Sequence, residues 1–183
     1  MQLSKDGQKV VSSKIILSCD CLGISGGWTP AVHLFTQSGG KLKFREDDQV
    51  FIPNIYPSDQ LSIGACNGDF TLDEILINTP KSLINYLNIE NTEYDDLEIS
   101  CSTNKSKRNI WLLPSDKILG KTKSFVDFQN DATAKDIKLA LREGFRSIEH
   151  VKRYTTTGMG TDQGKLGNMH ALGIISETAG AKM

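Results

Sequence analysis

Several things are scarce in this chain of 183 residues, and each scarcity excludes something. No uninterrupted apolar run approaches the ~20 residues that a membrane-spanning helix needs. Charge of one sign is not in excess: 21 Lys and Arg stand against 22 Asp and Glu, a net charge of −1. That excludes global attraction to nucleic acid or to an anionic membrane, though not a local basic patch. The first residues, MQLSKDGQKVVSSK, hold no apolar core of a secretory signal, and the expected compartment is the cytoplasm, where thiols stay reduced. Only four cysteines occur. Cys19 and Cys21 are too close for an easy disulfide or a zinc pair, and Cys66 and Cys101 are isolated. The three histidines, His33, His150 and His170, form no ligand pair, so free thiols and no metal site are expected. What remains is a globular composition, 38% hydrophobic and 23% charged, without repeats or low-complexity tracts.

Three stretches are discernible. From Ser13 to Ser25 the sequence SKIILSCDCLGIS is almost continuously apolar, which predicts short strands buried on both faces of an α/β sheet. Leu42–Phe44, Val50–Ile52 and Gln60–Ala65 also read as strands, and a helix is predicted from Leu72 through Ile77. Lys81–Leu87 reads as a further short helix and Ile110–Leu113 as a strand. The same stretch, up to Lys123, carries acidic residues (Glu90, Glu93, Asp95, Asp96, Glu98) and then basic ones (Lys105, Lys107, Arg108, Lys117, Lys121, Lys123), the pattern of solvated faces in a connection. From Ser124 onward the signals are helical. Thr133-Ala134-Lys135-Asp136 is a capping-box-like start, Ile137, Ala140 and Leu141 an apolar stripe, and Gly144 a terminator. Ser147 caps a second helix carrying Ile148, Val151 and Tyr154, and Asp162 caps a third that begins near Gln163 and runs through Ile175. The boundaries expected are 1–79, 80–123 and 124–183.

Three places carry possible binding chemistry. The fingerprint G-x-G-x-x-G that opens a dinucleotide fold is absent. Asp20 through Gly26, Gly27 and Pro30 instead fits a strand leaving a nucleotide domain, or equally a plain Gly-Pro loop. Gly64-Ala65-Cys66-Asn67-Gly68 follows a predicted strand and precedes a helix, where backbone amides face a phosphate or ribityl group or merely pack a tight turn. Many flavoprotein reductases have Gly-Asp there; here Ala65 stands at the Asp position. Last, Lys152, Arg153, Thr155, Thr156, Thr157, Gly158 and Lys165 combine cations, hydroxyls and a glycine loop, a set suited to an anion such as phosphate, or to a solvated helix end. No catalytic residue is discernible.

Three blocks in order, DCLGISGGWTPAVHLFTQSGGKL, then GACNG, then FVDFQNDATAKDIKLALREGFRSIEHVKRYTTTGMGTDQGK, resemble the α subunit of heterotetrameric sarcosine oxidase. The resemblance runs through Ser13–Asn67 and Lys123–Thr178. It implies an internal fragment of mixed α+β and α/β class: the C-terminal part of a FAD/NAD(P)-binding Rossmann-like domain, followed by a small helical domain. The helical part also resembles the module of bacterioferritin-associated ferredoxin, whose four cysteines hold a two-iron two-sulfur cluster. Laid on this chain those positions are Asp127, Gln129, Asp162 and Gly167, so no cluster is expected.

The family reaction converts sarcosine to glycine with hydrogen peroxide and formaldehyde or methylenetetrahydrofolate. The resemblance implies NAD bound by α, FMN at the contact of α with β, FAD and tetrahydrofolate in partner or missing parts, and β, γ and δ subunits as partners. It implies Gly26, Gly27, Gly64 and Ala65 as cofactor-wall residues and the Lys152–Lys165 loop as part of an FMN seat. The isolated fragment is expected to be inactive. A related amine or opine dehydrogenase subunit and a non-catalytic subunit-interaction module are the alternatives.

Overall fold

The computed structural model describes residues 2–4, 7, 9–13, 15–23, 27–57, 59–89, 110–115, 121 and 123–182. The acidic run, Cys101, Lys105, Lys107, Arg108 and Lys117 of the expected connection, and Gly26 of the first glycine pair, lie outside the described residues. The chain is a mixed α/β protein that divides into two compact units: Ser18–Asn109, and Met1–Leu17 together with Ile110–Met183.

In the Ser18–Asn109 unit a short helix, α1 (His33–Gln37), leads into a hairpin of β1 (Lys41–Arg45) and β2 (Val50–Ile55). The antiparallel register pairs Phe44 with Phe51, whose rings lie 5.1 Å apart. The strands expected at Leu42–Phe44 and Val50–Ile52 are found, and Gln49 takes the positive φ that closes the polar turn between them. Arg45 holds the turn by a two-point contact with Asp48 and donates to the carbonyl of Gly68 at 2.7 Å. Gln60–Ala65 is not the expected strand. It is irregular up to a 3-10 turn, Gly64–Asn67, because the hairpin offers it no ladder among the described residues.

The two predicted helices are one, α2 (Leu72–Leu87), so the expected boundary at 79/80 falls inside a helix. Thr71 and Glu74 form a reciprocal capping box at its start and Asn88 a left-handed cap at its end. Pro80 sits in its interior, where it denies Leu76 its carbonyl partner at a cost of about 3 kcal/mol. None of its residues is fully buried.

The predicted strands of Ser13–Ser25 are absent among the described residues. Ile16 and Leu17 are each 80% exposed, and Leu22 is 73% exposed. An apolar run becomes a buried strand only beside other strands. The sheets described are two antiparallel pairs, β1 with β2 and β3 with β4, and neither includes it.

The second unit has a closed core. β3 (Phe125–Asp127) pairs with β4 (Ala132–Thr133), and α3 (Ala134–Arg142), α4 (Ile148–Thr155) and α5 (Asn168–Ala179) follow. Thr133 and Asp136 form the predicted capping box. Ala134, Ile137 and Ala140 are fully buried and pack with Val151 of α4 and Ala171, Ile174 and Ile175 of α5. Gly144 takes φ 101° just past α3, as a terminator should. Tyr154 turns its ring to Phe145 at 4.7 Å and donates to Glu143 at 2.5 Å. Ser147 stands at the α4 cap position without bonding through its side chain, and the third helix begins at Asn168, five residues later than Gln163, because a run of turns intervenes. Ile110–Leu113 is not a strand either: Trp111 leaves the backbone to enter the helical core.

Candidate functional site

The turn between β3 and β4 and the loop between α4 and α5 are joined by one carboxylate. Asp127 is 5% exposed. Its Oδ1 accepts from the amides of Gln129 at 2.8 Å and Asn130 at 3.1 Å, an Asx turn that folds the chain back into β4. Its Oδ2 accepts from the amide of Gly158 at 2.7 Å. Desolvation pushes this carboxyl up, but the hydrogen bonds from Gly158, Asn130 and Gln129 outweigh it and hold the group below the usual carboxylate range. Gln129 repeats the pattern: its Oε1 accepts from the amide of Thr161 at 2.6 Å and from the Thr161 hydroxyl at 2.8 Å. Asp162 accepts from the amides of Gly164 and Leu166, and Gly167 lies where a Cβ would press on the carbonyl of Val126. The structure thus brings Asp127, Gln129, Asp162 and Gly167 to one seam, and the three that carry polar side chains spend them on backbone amides.

The loop is built from left-handed positions. Thr156, Gly158, Gln163 and Gly164 all have positive φ. At Gly158 a side chain would strike Asn168, which heads α5 with its Oδ1 buried and unpartnered, so only glycine fits.

The cations and hydroxyls of the Lys152–Lys165 loop have unequal freedom. Thr157 is fully buried; its hydroxyl pairs with that of Thr155 at 2.7 Å, and Thr155 in turn donates to the carbonyl of Val151. Thr156 donates to the carbonyl of Thr155, and the Gly158 amide belongs to Asp127. Lys152 is half-buried beside Glu149, 3.7 Å away. Arg153 and Lys165 are exposed and make no ion pair among the described residues. Phe128, Met159 and Leu166 are exposed on the same turn and loop.

The other candidates lie in the Ser18–Asn109 unit. Gly27 is exposed with φ 107°, and Gly64 is buried with φ 65° next to exposed Ala65. Four amides after this turn are occupied: Gly68 donates to the carbonyl of Ala65, Asp69 to that of Gly64, and Phe70 and Thr71 to the Glu74 carboxylate. The start of α2 is therefore capped from within. Among the described residues no group of three His, Cys, Asp or Glu side chains could hold a metal, and no helix is long and apolar enough to cross a membrane.

On the sequence Asp127 stands out only as a cluster-ligand position without its cysteine, and its role as the anchor of the loop emerges from the fold. The D-x-Q-N pattern of an Asx turn before a capped helix was the available signal.

Residues 121–183 match the sarcosine oxidase A3 domain family. The chain as a whole is similar to sarcosine oxidase α subunits. That of Rhizobium meliloti (strain 1021) is 32% identical over 174 residues, covering 90% of this chain and 17% of the relative. That of Corynebacterium sp. (strain P-1) is 31% identical over 167 residues, covering 88% and 17%. That of Corynebacterium sp. (strain U-96) is 30% identical over 181 residues, covering 96% and 19%. The chain spans less than a fifth of the length of these relatives.

Proposed function

We propose that this chain serves as a segment of a sarcosine oxidase α subunit, in a complex with β, γ and δ subunits that oxidatively demethylates sarcosine to glycine with hydrogen peroxide. The one-carbon product would be formaldehyde or methylenetetrahydrofolate. One observation carries the reading: nearly the whole chain aligns with α subunits of that name in three bacteria, and its last third matches an A3 domain. On this reading residues 18–89 are the tail of a FAD/NAD(P)-binding, Rossmann-like domain contributing to an NAD site, and FMN lies near the A3 domain at the contact with β.

The geometry narrows what this chain's residues would do there. The hydroxyls of Thr155 and Thr157 and the Gly158 amide are committed within the loop, so Arg153 and Lys165 are the groups placed to offset a phosphate. The Asp127 anchor would keep the loop in one shape and so spare a ligand the cost of ordering it. Asp127, Gln129, Asp162 and Gly167 offer no thiolate, and the reading includes no iron–sulfur cluster. The exposed Phe128, Met159 and Leu166 favour a second role for the same loop, as contact surface for a partner subunit.

The test is a chimera in which this chain replaces the matching segment of the Rhizobium meliloti α subunit, expressed with that enzyme's partner subunits. Sarcosine-dependent peroxide and bound FMN are expected from the chimera, and neither from the 183-residue chain alone. In the chimera, Arg153→Ala and Lys165→Ala each remove a charge-assisted contact worth roughly 1.5–3 kcal/mol, lowering FMN retention by about ten- to a hundredfold. An assembled chimera that makes no peroxide overturns the assignment, and unchanged FMN in both variants overturns the phosphate role.

A further inference from the structure

The helix α2 is built as an interior element, yet among the described residues of its own unit one apolar face of it is left exposed. At about 100° per residue, Leu72, Leu76, Leu83 and Leu87 fall within roughly 60° of one another, with Tyr86 at the edge of the same stripe. Leu72, Leu83, Tyr86 and Leu87 are exposed and Leu76 is half-buried. Across sixteen residues only Asp73, Glu74 and Lys81 carry charge. A solvent-facing helix with an internal proline and so few charges has little to hold it, since isolated helices of this length are marginal even without a proline. The contrast with the other unit is sharp. There one cluster buries nine residues, whereas here, among the described residues, the buried apolar side chains are Phe35, Val50, Ile52 and the prolines Pro30 and Pro53, none of them on α2.

We propose that the Leu72–Leu87 seam packs against further α-subunit polypeptide lying outside these 183 residues, and that this packing is what completes the Ser18–Asn109 unit. The occupant follows from extent. The relatives align with 88–96% of this chain, so they span the sequence of this helix, and more than four-fifths of their length is additional polypeptide. A leucine stripe flanked by so few charges asks for an apolar partner of the kind found inside a domain, not for a polar rim contact. The inference rests on the α-subunit reading above, but its readout is separate.

Amide hydrogen exchange over residues 72–87 is compared in the isolated 183-residue chain and in the chimeric α subunit without its β, γ and δ partners. Protection about a hundredfold greater in the chimera is expected. Leu83→Asp should abolish that gain, while Lys81→Asp, on the opposite face, should leave it intact. A concentration-dependent dimer of the isolated chain that protects α2 as well as the chimera does would make a second copy the occupant and overturn the proposal. Protection that arises only when the β subunit is added would overturn it too, as would free exchange in every state. A chimera that protects α2 but makes no peroxide would fail the functional reading alone. An active chimera with an unprotected α2 would fail this inference alone.

Discussion

Asp127 Oδ2 lies 2.7 Å from the amide nitrogen of Gly158, thirty-one residues further along, and the same carboxylate bonds the amides of Gln129 and Asn130. A loop that supplies cations, hydroxyls and glycines to its surroundings is therefore held by a side chain from a different element. Asp127→Asn keeps the size but turns an amide group toward donors. It should cost about 1–3 kcal/mol of stability at neutral pH, read from urea unfolding. The pH dependence should change as well. The folded Asp127 carboxyl sits below its unfolded value, so its contribution is present above about pH 4 and is lost as pH falls through the folded value. The variant's acid unfolding limb should be shallower in that window, and an identical limb would rule out the anchoring role.

At Gly173 there is no room for a methyl group. A Cβ there would meet the indole of Trp111, a rigid ring that cannot swing away as a flexible chain end does. Gly173→Ala should destabilise the Ile110–Met183 part of the chain by about 1–3 kcal/mol and shift the Trp111 emission to the red as the ring is pushed toward water. Wild-type stability in the variant would show that the ring does not occupy that place.

Thr156 is a β-branched residue held at φ 58°. Glycine at this position removes the steric penalty but adds chain entropy to the unfolded state, and the first effect should prevail. Thr156→Gly is expected to raise stability by up to about 1 kcal/mol. A clear loss of melting temperature would mean that the Thr156 hydroxyl bond to Thr155 outweighs the strain.

His170 is exposed as a residue, but its ring lies edge-on to Trp111 at 5.9 Å between ring centres, and partial desolvation there holds its imidazole below the usual range. The fold favours the neutral ring. Stability from this group is thus complete above about pH 6.5 and declines as pH falls through that value toward the folded one. His170→Gln should flatten the pH dependence of the melting temperature across that interval. An NMR titration of the wild-type ring with a midpoint at or above the ordinary value would contradict the assignment.

How far the sequence could be read depended on how local the determining physics was. The capping box of Thr133 and Asp136, the Ile137–Ala140–Leu141 stripe and the Gly144 stop act within a turn or two of the residues that show them, and all three are found as expected. The hairpin strands around Val50 and Phe44 were equally legible. What was missed depends on distant partners. Ile15, Ile16 and Leu17 have strand composition but no neighbouring strand among the described residues, and Trp111 sits in a strand-like run yet packs on a helix more than fifty residues away. Pro80 hid the continuity of α2, because a proline ordinarily ends a helix. The candidate site was legible as a list of residue types. Which of them were already spoken for, as Thr157 and Gly158 are, was not, since that is decided by Asp127.

The A3 match begins at residue 121, ten positions after the tryptophan that covers α5. A piece cut at the family boundary would keep α3, α4 and α5 but lose this lid, leaving over Gly173 a dry slot shaped like an indole, floored by a helix backbone. Such a gap is unfavourable because its walls lose their contacts without gaining water. The unit that folds as one is therefore longer than the stretch the family match delimits, and the excess includes an aromatic side chain of the core supplied from upstream.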